Sequence, residues 1–376
     1  MTDTVTLNGD PGLVAIDRAL TELRRGRAIA IDDGSVTLLA AALETAEGPL
    51  VERLRSRSLL ELRLAIPAER AHALGLASRA DQPTVLQLGP GFSAARIASL
   101  GSRWQAEHWR AVLSGTAPVF EPDTGLCNAA LQLVKDAQLL PAVLVARSES
   151  PVRTADVLQL TLGDIERGAR PEAADLQRVS EARVPLRDCE DTRVVLFRDL
   201  RDSAEHLAVL VGEPDTAGPV PVRMHSACLT GDLLGSLRCD CGEQLRDGVR
   251  RLVAAGGGLL LYLAQEGRGI GLANKLRAYQ LQDSGLDTID SDRQLGFSSD
   301  ERRYTVAASM LRQLGIHSVQ LLTNSPRKVH ALKQAGIDVV EVTQLHGTPN
   351  RHNARYIRTK QERAGHFRPE AESEAF

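Results

Sequence analysis

The sequence predicts a two-domain protein of mixed α/β (α+β) class, on three observations. The chain has 376 residues, more than one ordinary hydrophobic core accommodates. Apolar runs of strand length alternate with amphipathic stretches of helical period, a pattern that layers helices on sheets. Residues 148–178 mix Pro, Gly and charge, as a junction between two cores does. The expected division is 1–170 for the front domain and its linker, 171–368 for the second domain, and 369–376 for a disordered tail of small and acidic residues.

The elements follow in order. Val14 to Arg25 reads as an amphipathic helix, Gly26 ends it, and Ala28 to Ile31 begins a strand. CNAALQLVKDAQLLPAVLVA is a helix running into a buried strand. The second half is punctuated more regularly. RVVLFRDL and EHLAVLVGE read as paired strands, and PVRMHSACL as a further strand. In GEQLRDGVRRLVAAGGG, Leu245, Val249, Leu252 and Val253 stand at helical spacing before a glycine stop. LLLYLA is a buried strand that opens into the loop Gln265-Glu-Gly-Arg-Gly-Ile-Gly271 and the helix LANKLRAYQLQDSG. Asp300-Glu301-Arg302-Arg303 reads as a helix start, and SVQLLTN as a strand. Ser325 as cap with Pro326 at the first helical position starts PRKVHALKQAG, and IDVVE is the last strand.

Composition excludes several function classes. A net charge of −3 gives no general attraction to a polyanion, and 3% aromatic residues argue against stacking platforms for single strands, so no nucleic-acid partner is expected. The N-terminus lacks the basic and apolar regions of a signal peptide, and no run approaches the roughly 18 apolar residues of a span, so no membrane partner is expected. Five cysteines, sparse and odd in number, suit a reducing cytoplasm.

Three of those cysteines, Cys228, Cys239 and Cys241, fall in one short window. Three thiolates can hold Zn²⁺ and leave the fourth tetrahedral position open, where a water ionises near neutral pH. Two other readings stand beside this one: small buried apolar side chains, or a structural site closed by His225. The loop EGRGIG, between a strand and a helix, offers backbone N–H groups and a helix dipole to an anion. It matches neither the dinucleotide fingerprint nor a P-loop, and a plain turn explains it equally well. Thr323-Asn-Ser-Pro-Arg-Lys328 places a hydroxyl and two cations at a second helix start. Arg223, Arg268, Arg302, Arg303 and Lys328 could together neutralise a triphosphate, although each alone reads as a solvated charge.

Taken together, HSACLTGDLLGSLRCDCGEQL, QEGRGIGLANKLRAYQLQDSGLDT, QLGFSSDER and LLTNSPRK resemble GTP cyclohydrolase II in residue, order and spacing, from about Val179 to Phe367. The resemblance implies zinc-dependent opening of the guanine imidazole ring of GTP, with loss of formate and pyrophosphate, as the first committed step of riboflavin synthesis. By the same resemblance Cys228, Cys239 and Cys241 are the ligands of one zinc per chain. Arg223, Met224, His225, Ser226, Ala227, Gln244, Glu266, Gly267, Arg268, Thr288, Thr323 and Lys328 hold GTP. Asp300 is the general base, and Tyr279 completes loss of the formyl carbon. Arg302 matches the nucleophile toward the α-phosphate, and a guanidinium pKa above about 12 favours electrostatic stabilisation as its role. Mg²⁺ on the phosphates and a homodimer are further family expectations. Ala227 stands where a glutamate is common, Gly269 where an asparagine is common, and Arg303 where an acid is common, which bears on nucleotide selectivity.

RGRAIAIDDGSVTLLAAALETA, GFSAARIASL and GLCNAALQLVKDAQLLPAVLVA resemble dihydroxybutanone phosphate synthase in outline, over roughly residues 12–147. The acidic loop of that family is missing after Asp32-Asp33, and Leu126 stands where its metal-binding histidine would be. The expectation is a retained fold without that activity. Two alternatives remain beside the leading reading: a related cyclohydrolase with another nucleotide or pathway, and a zinc-stabilised nucleotide sensor or scaffold.

Overall fold

A computed structural model describes residues 11–79, 82–119, 124–148, 156–169 and 176–367. The expected tail 369–376 and much of the junction lie outside these residues. The chain divides into two compact units. The first comprises Met1–Arg170 with Ala273–Leu286 and Asp290–Asp300, and the second comprises Pro171–Leu272, Asp287–Ile289 and Glu301–Phe376. Both units combine a sheet with helices, so the mixed α/β class holds.

The strands of the first unit are β1 (Ile29–Asp32), β2 (Thr37–Ala42), β3 (Leu62–Ile66), β4 (Thr84–Leu88), β5 (Pro118–Val119), β6 (Val143–Ser148) and β7 (Leu158–Thr161). They form one sheet in the order β5-β4-β3-β6-β2-β1-β7, antiparallel except for the β1–β7 edge. β7 lies within the stretch that composition marks as junction, and pairing with β1 makes it part of the core. Helix Pro11–Arg24 buries Ile16, Ala19, Leu20 and Leu23 on the core, matching the helical spacing of the sequence. Helix Thr124–Asp136 adds Leu126, Ala130, Leu133 and Val134 to the same core.

Asp32 and Asp33 are consumed by the turn between β1 and β2. Asp33 Oδ1 accepts from the N–H groups of Ser35 and Val36 and from the Ser35 hydroxyl, and these bonds hold its carboxyl below the usual range. Asp32 accepts from Gly34 N–H and from the Thr37 hydroxyl. Leu126, 1% exposed, is core. A carboxylate pair used as turn acceptors and a leucine in the core offer a divalent cation little.

Arg70 is fully buried in the first unit, stacked 3.8 Å from the Trp109 ring centre. It donates to the carbonyls of Trp104 and Gln294. Burial first, then the Arg277 charge, brings its pKa down to about 9.

The second unit contains β8 (Leu176–Arg183), β9 (Thr192–Asp199), β10 (Glu205–Val211), β11 (Val220–Ser226), β12 (Gly258–Leu263), β13 (Ser318–Leu322) and β14 (Asp338–Thr343). Their order is β14-β13-β11-β12-β10-β9-β8. β9 and β10 pair antiparallel, as their sequences suggest, while β11 runs parallel to both β12 and β13. The mostly exposed β8 alternates too little in the sequence to stand out, and pairing with β9 recruits it to the edge. Asp300 to Arg303 is not helical; the helix begins at Thr305 and runs to Gln313. A last helix, Ala354–Glu362, follows β14.

Candidate metal centre and nucleotide site

The parallel strands explain why three sequence-distant motifs meet. β11, β12 and β13 are neighbours, so their carboxyl ends lie along one edge of the sheet. β11 leads into the cysteine loop, β12 into EGRGIG, and β13 into TNSPRK.

Cys228, Cys239 and Cys241 are the one group of metal-type side chains that clusters among the described residues, their sulfurs all within 4.8 Å of one another. Zinc about 2.3 Å from each sulfur in tetrahedral geometry spaces the sulfurs by roughly 3.8 Å. Cys228 Sγ and Cys239 Sγ are 3.7 Å apart, so the cage fits that ion. Gly231 makes room for it. A Cβ at 231 would lie 2.8 Å from Cys239 Sγ, 3.0 Å from Cys228 Sγ and 3.0 Å from Cys241 Cβ. Hydrogen bonding with the Cys228 thiol pushes the Cys239 and Cys241 thiols up, so a cation entering the cage displaces protons.

His225 is outside this cage. Its Nε2 lies 3.1 Å from Asp232 Oδ1, which removes the reading of a structural site closed by histidine. His225 and Tyr262 are cross-strand partners, and their rings stack with centres 5.7 Å apart. Burial lowers the His225 pKa. Asp232 also accepts from the Cys228 N–H (2.9 Å) and the Tyr262 hydroxyl (3.0 Å), so one carboxylate fixes Cys228, the histidine and the phenol. Burial and Asp232 raise the Tyr262 pKa, which keeps the phenol a donor.

The glycine loop is tied to the cysteine loop. Glu266 Oε2 accepts from Leu229 N–H (2.6 Å), and its other oxygen accepts from Gly267 N–H. Gly267, Arg268 and Gly269 all have positive φ, at 61°, 63° and 92°. For Arg268 this conformation is strained, as happens where a loop is shaped for a ligand. Its carbonyl accepts from Glu301 N–H. A Cβ at 269 would lie 2.9 Å from the Glu301 carbonyl, so this backbone favours glycine there.

Behind the loops runs a buried polar chain. Arg223 donates to Leu322 O (3.0 Å) and Gln244 Oε1 (2.8 Å), and Gln244 Nε2 donates to Asp240. Asp240 pairs with Lys360 at 3.0 Å. Met224 is buried, and its carbonyl accepts from Lys328 Nζ. Thr323 is buried with its hydroxyl accepting from Ser325 N–H, and Ala227 N–H donates to Leu263 O. Ser226 Oγ and Gln265 Oε1 are buried with no protein partner, the kind of orphaned atom a ligand satisfies. Arg303 is drawn aside by Asp202 at 3.1 Å.

Four cations converge nearby. His366 is held down to about 3, by burial first and then by Lys360, Arg302, Lys328 and Arg268. Arg302 and Lys328 flank the Tyr304 ring, at 5.3 and 5.9 Å from its centre. Thr288 opens helix Thr288–Leu295 in the second unit's short segment. Tyr279 and Asp300 belong to the first unit, Tyr279 half-buried with Lys275 Nζ 5.7 Å from its ring.

Sequence reasoning missed Gly231, Asp232, Tyr262, Lys360 and His366. Gly231 and Asp232 stand inside the quoted cysteine window, and a small residue and an acid between three ligands were the available signal. Lys360 and His366 lie beyond every motif, and only the fold brings them to the site.

Three clustered cysteines that could hold a zinc ion, beside a group of cations at the carboxyl ends of parallel strands, are the kind of centre a metal-dependent hydrolase uses on an anionic substrate. The sequence model of GTP cyclohydrolase II matches residues 177–344. A GTP cyclohydrolase-2 of Azospirillum brasilense is 42% identical over 94% of this chain and 94% of its own length. One from Xylella fastidiosa (strain Temecula1) is 38% identical over 95% of this chain and 88% of its own. A shorter one from Shewanella amazonensis is 51% identical over 46% of this chain and 85% of its own. The chain belongs to the GTP cyclohydrolase II family. Among solved structures, RibBX, a two domain 3,4-dihydroxy-2-butanone 4-phosphate synthase from A. baumannii, covers 88% of this chain and 99% of its own at 18% identity, with a TM-score of 0.31. That likeness is too distant to bear on the front unit's chemistry.

Proposed function

We propose that this protein opens the imidazole ring of GTP by hydrolysis, releasing formate and pyrophosphate and leaving a diamino-ribosylaminopyrimidinone phosphate for riboflavin synthesis. The observation that carries this reading is the three-thiol cage beside the cation cluster, in a family member similar to its relatives over nearly its whole length. Zinc held by Cys228, Cys239 and Cys241 supplies Lewis acidity and lowers the pKa of water. Arg268, Arg302 and Lys328 bind the triphosphate, with Mg²⁺ on its oxygens, and offset charge on the departing pyrophosphate. Glu266 and Gly267 hold the loop, Ser226 and Gln265 offer unsatisfied polar atoms to the nucleotide, and Thr288 and Thr323 border it. Arg223, Met224, His225, Ala227 and Gln244 set the strand and helix that carry these groups. Asp300 accepts the proton released as water adds to the ring. Tyr279 directs the second hydrolysis, which frees formate.

The zinc-loaded protein is expected to release formate from GTP. Tyr279→Phe, which keeps the ring and loses the hydroxyl, should consume GTP while accumulating a formylated pyrimidine, detected by mass spectrometry. Formate release at the parent rate in that variant would return Tyr279 to a packing role.

Residues 171–368 form the cyclohydrolase part in this reading, and 1–170 a synthase-like part without synthase activity. Asp32 and Asp33 capping a turn, with Leu126 in the core, support this. The full-length protein with Mg²⁺ should yield no dihydroxybutanone phosphate from ribulose phosphate above an enzyme-free control. A cytoplasmic homodimer completes the reading. Leu229, Leu233, Leu234 and Leu237, exposed on the cysteine loop, supply apolar surface that such a dimer could cover. Among the described residues no helix is long and apolar enough to cross a membrane.

A further inference from the structure

Within the span matched by the cyclohydrolase family, two segments pack with the front unit: Ala273–Leu286, which carries Tyr279, and Asp290–Asp300. Their anchors are specific. Arg277 makes a two-pronged ion pair with Glu44, Nη2 to Oε1 at 2.6 Å and Nη1 to Oε2 at 2.9 Å. Glu44 Oε2 also accepts from Leu140 N–H, so the carboxylate is itself held from the front unit. One turn earlier on the helix Gly271–Asp283, Asn274 donates to the Gln138 carbonyl (3.0 Å) and accepts from Arg277 (2.6 Å). The second segment is gripped by Arg70, which donates to Gln294 O, and by burial of Leu295 and Phe297. At Gly296, with φ 97°, a Cβ would lie 3.3 Å from Arg70 Cβ and 3.4 Å from Pro67 Cγ.

We propose that the front unit serves the ring opening as the mount of the segments bearing Tyr279 and Asp300, with Glu44 as a positioning residue. The inference rests on the ring-opening reading above. A forked guanidinium–carboxylate pair fixes direction as well as distance, because both N–H bonds must align at once. Packing alone would not need it, since a partly buried ion pair gives back much of its attraction as desolvation. Arg277 and Tyr279 are two residues apart, about 200° around a helix, so the face that docks on Glu44 is not the face that presents Tyr279. Anchoring Arg277 therefore sets the rotation and height of the Tyr279 hydroxyl without touching it.

The test is Glu44→Gln in the full-length, zinc-loaded protein, which keeps the side-chain shape and an oxygen for Leu140 N–H. Displacement of a catalytic group by about 1 Å costs up to ~100-fold, so kcat for formate release should fall roughly tenfold or more. KM for GTP and zinc content should stay at parent values, and the formylated pyrimidine should accumulate as in Tyr279→Phe. A merely structural role would lower the melting temperature without changing that product ratio. Glu44→Arg combined with Arg277→Glu should recover part of the lost kcat. Where Glu44→Gln fails to fold, Arg277→Lys keeps the charge, loses the fork, and should show the same split. Parent kcat and product ratio in a folded variant of either kind would overturn the mount. A parent protein that forms no formate from GTP would instead sink the ring-opening reading. The mount would then be read from hydrogen exchange, which Glu44→Gln should speed across residues 273–283 and leave unchanged in β11 to β13.

Discussion

Gly231→Ala should empty the metal site while leaving the fold intact. The added methyl would stand 2.8 Å from Cys239 Sγ and 3.0 Å from Cys228 Sγ, well inside the roughly 3.5–4.0 Å at which such atoms attract. Neither sulfur is the far end of a long flexible side chain, since each sits one carbon from its backbone, and the Cys228 backbone is held by Asp232. Relief must come from spreading the cage, yet zinc tolerates only about 0.2 Å around its sulfur distances. The two backbones also approach closely, because a Cβ added at Gly242 would lie 2.2 Å from the Gly231 carbonyl oxygen. Metal analysis should find less than about a tenth of the parent zinc, with formate release down about a hundredfold or more, beyond the ~10–100-fold of second-neighbour changes. Thermal unfolding should remain cooperative. Full zinc and parent turnover in Gly231→Ala would disprove the cage geometry.

Cys239→Ser should abolish zinc binding and formate release together. Serine is nearly the same size, so packing around the site changes little, but its hydroxyl stays protonated where a thiol yields a ligand anion. Turnover should fall at least as far as in Gly231→Ala. Cys127→Ser and Cys189→Ser are the controls. Cys127 is packed in the front core and Cys189 lies outside the cluster, so both should retain zinc and turnover. Normal formate release from zinc-free Cys239→Ser protein would remove the metal from the reaction.

The strands and helices of the second unit were legible because each half-buried element repeats its apolar residues at the period of its own geometry. Helix Cys241–Ala254 and the β9–β10 pair came from that signal, and the Pro326 helix start from proline at the first helical position. β8 escaped it, since a mostly exposed edge strand has no face to encode. The helix expected at Asp300 begins at Thr305, because residues 300–303 run instead past the glycine loop, where Glu301 N–H meets the Arg268 carbonyl.

By itself the sequence determined the metal-type side chains and the three loops of the second unit. These depend on which atoms a side chain carries and on short separations along the chain. Tertiary structure alone decided what surrounds them. It made Asp232 the acceptor for Cys228, His225 and Tyr262, brought Lys360 and His366 to the cation cluster, and required glycine at 231. It also grouped Tyr279 with the front unit through Glu44 and Arg277, 233 positions apart. No local pattern encodes such a pair, because its partners meet only when a partly buried charge must find the counter-charge that the completed fold presents.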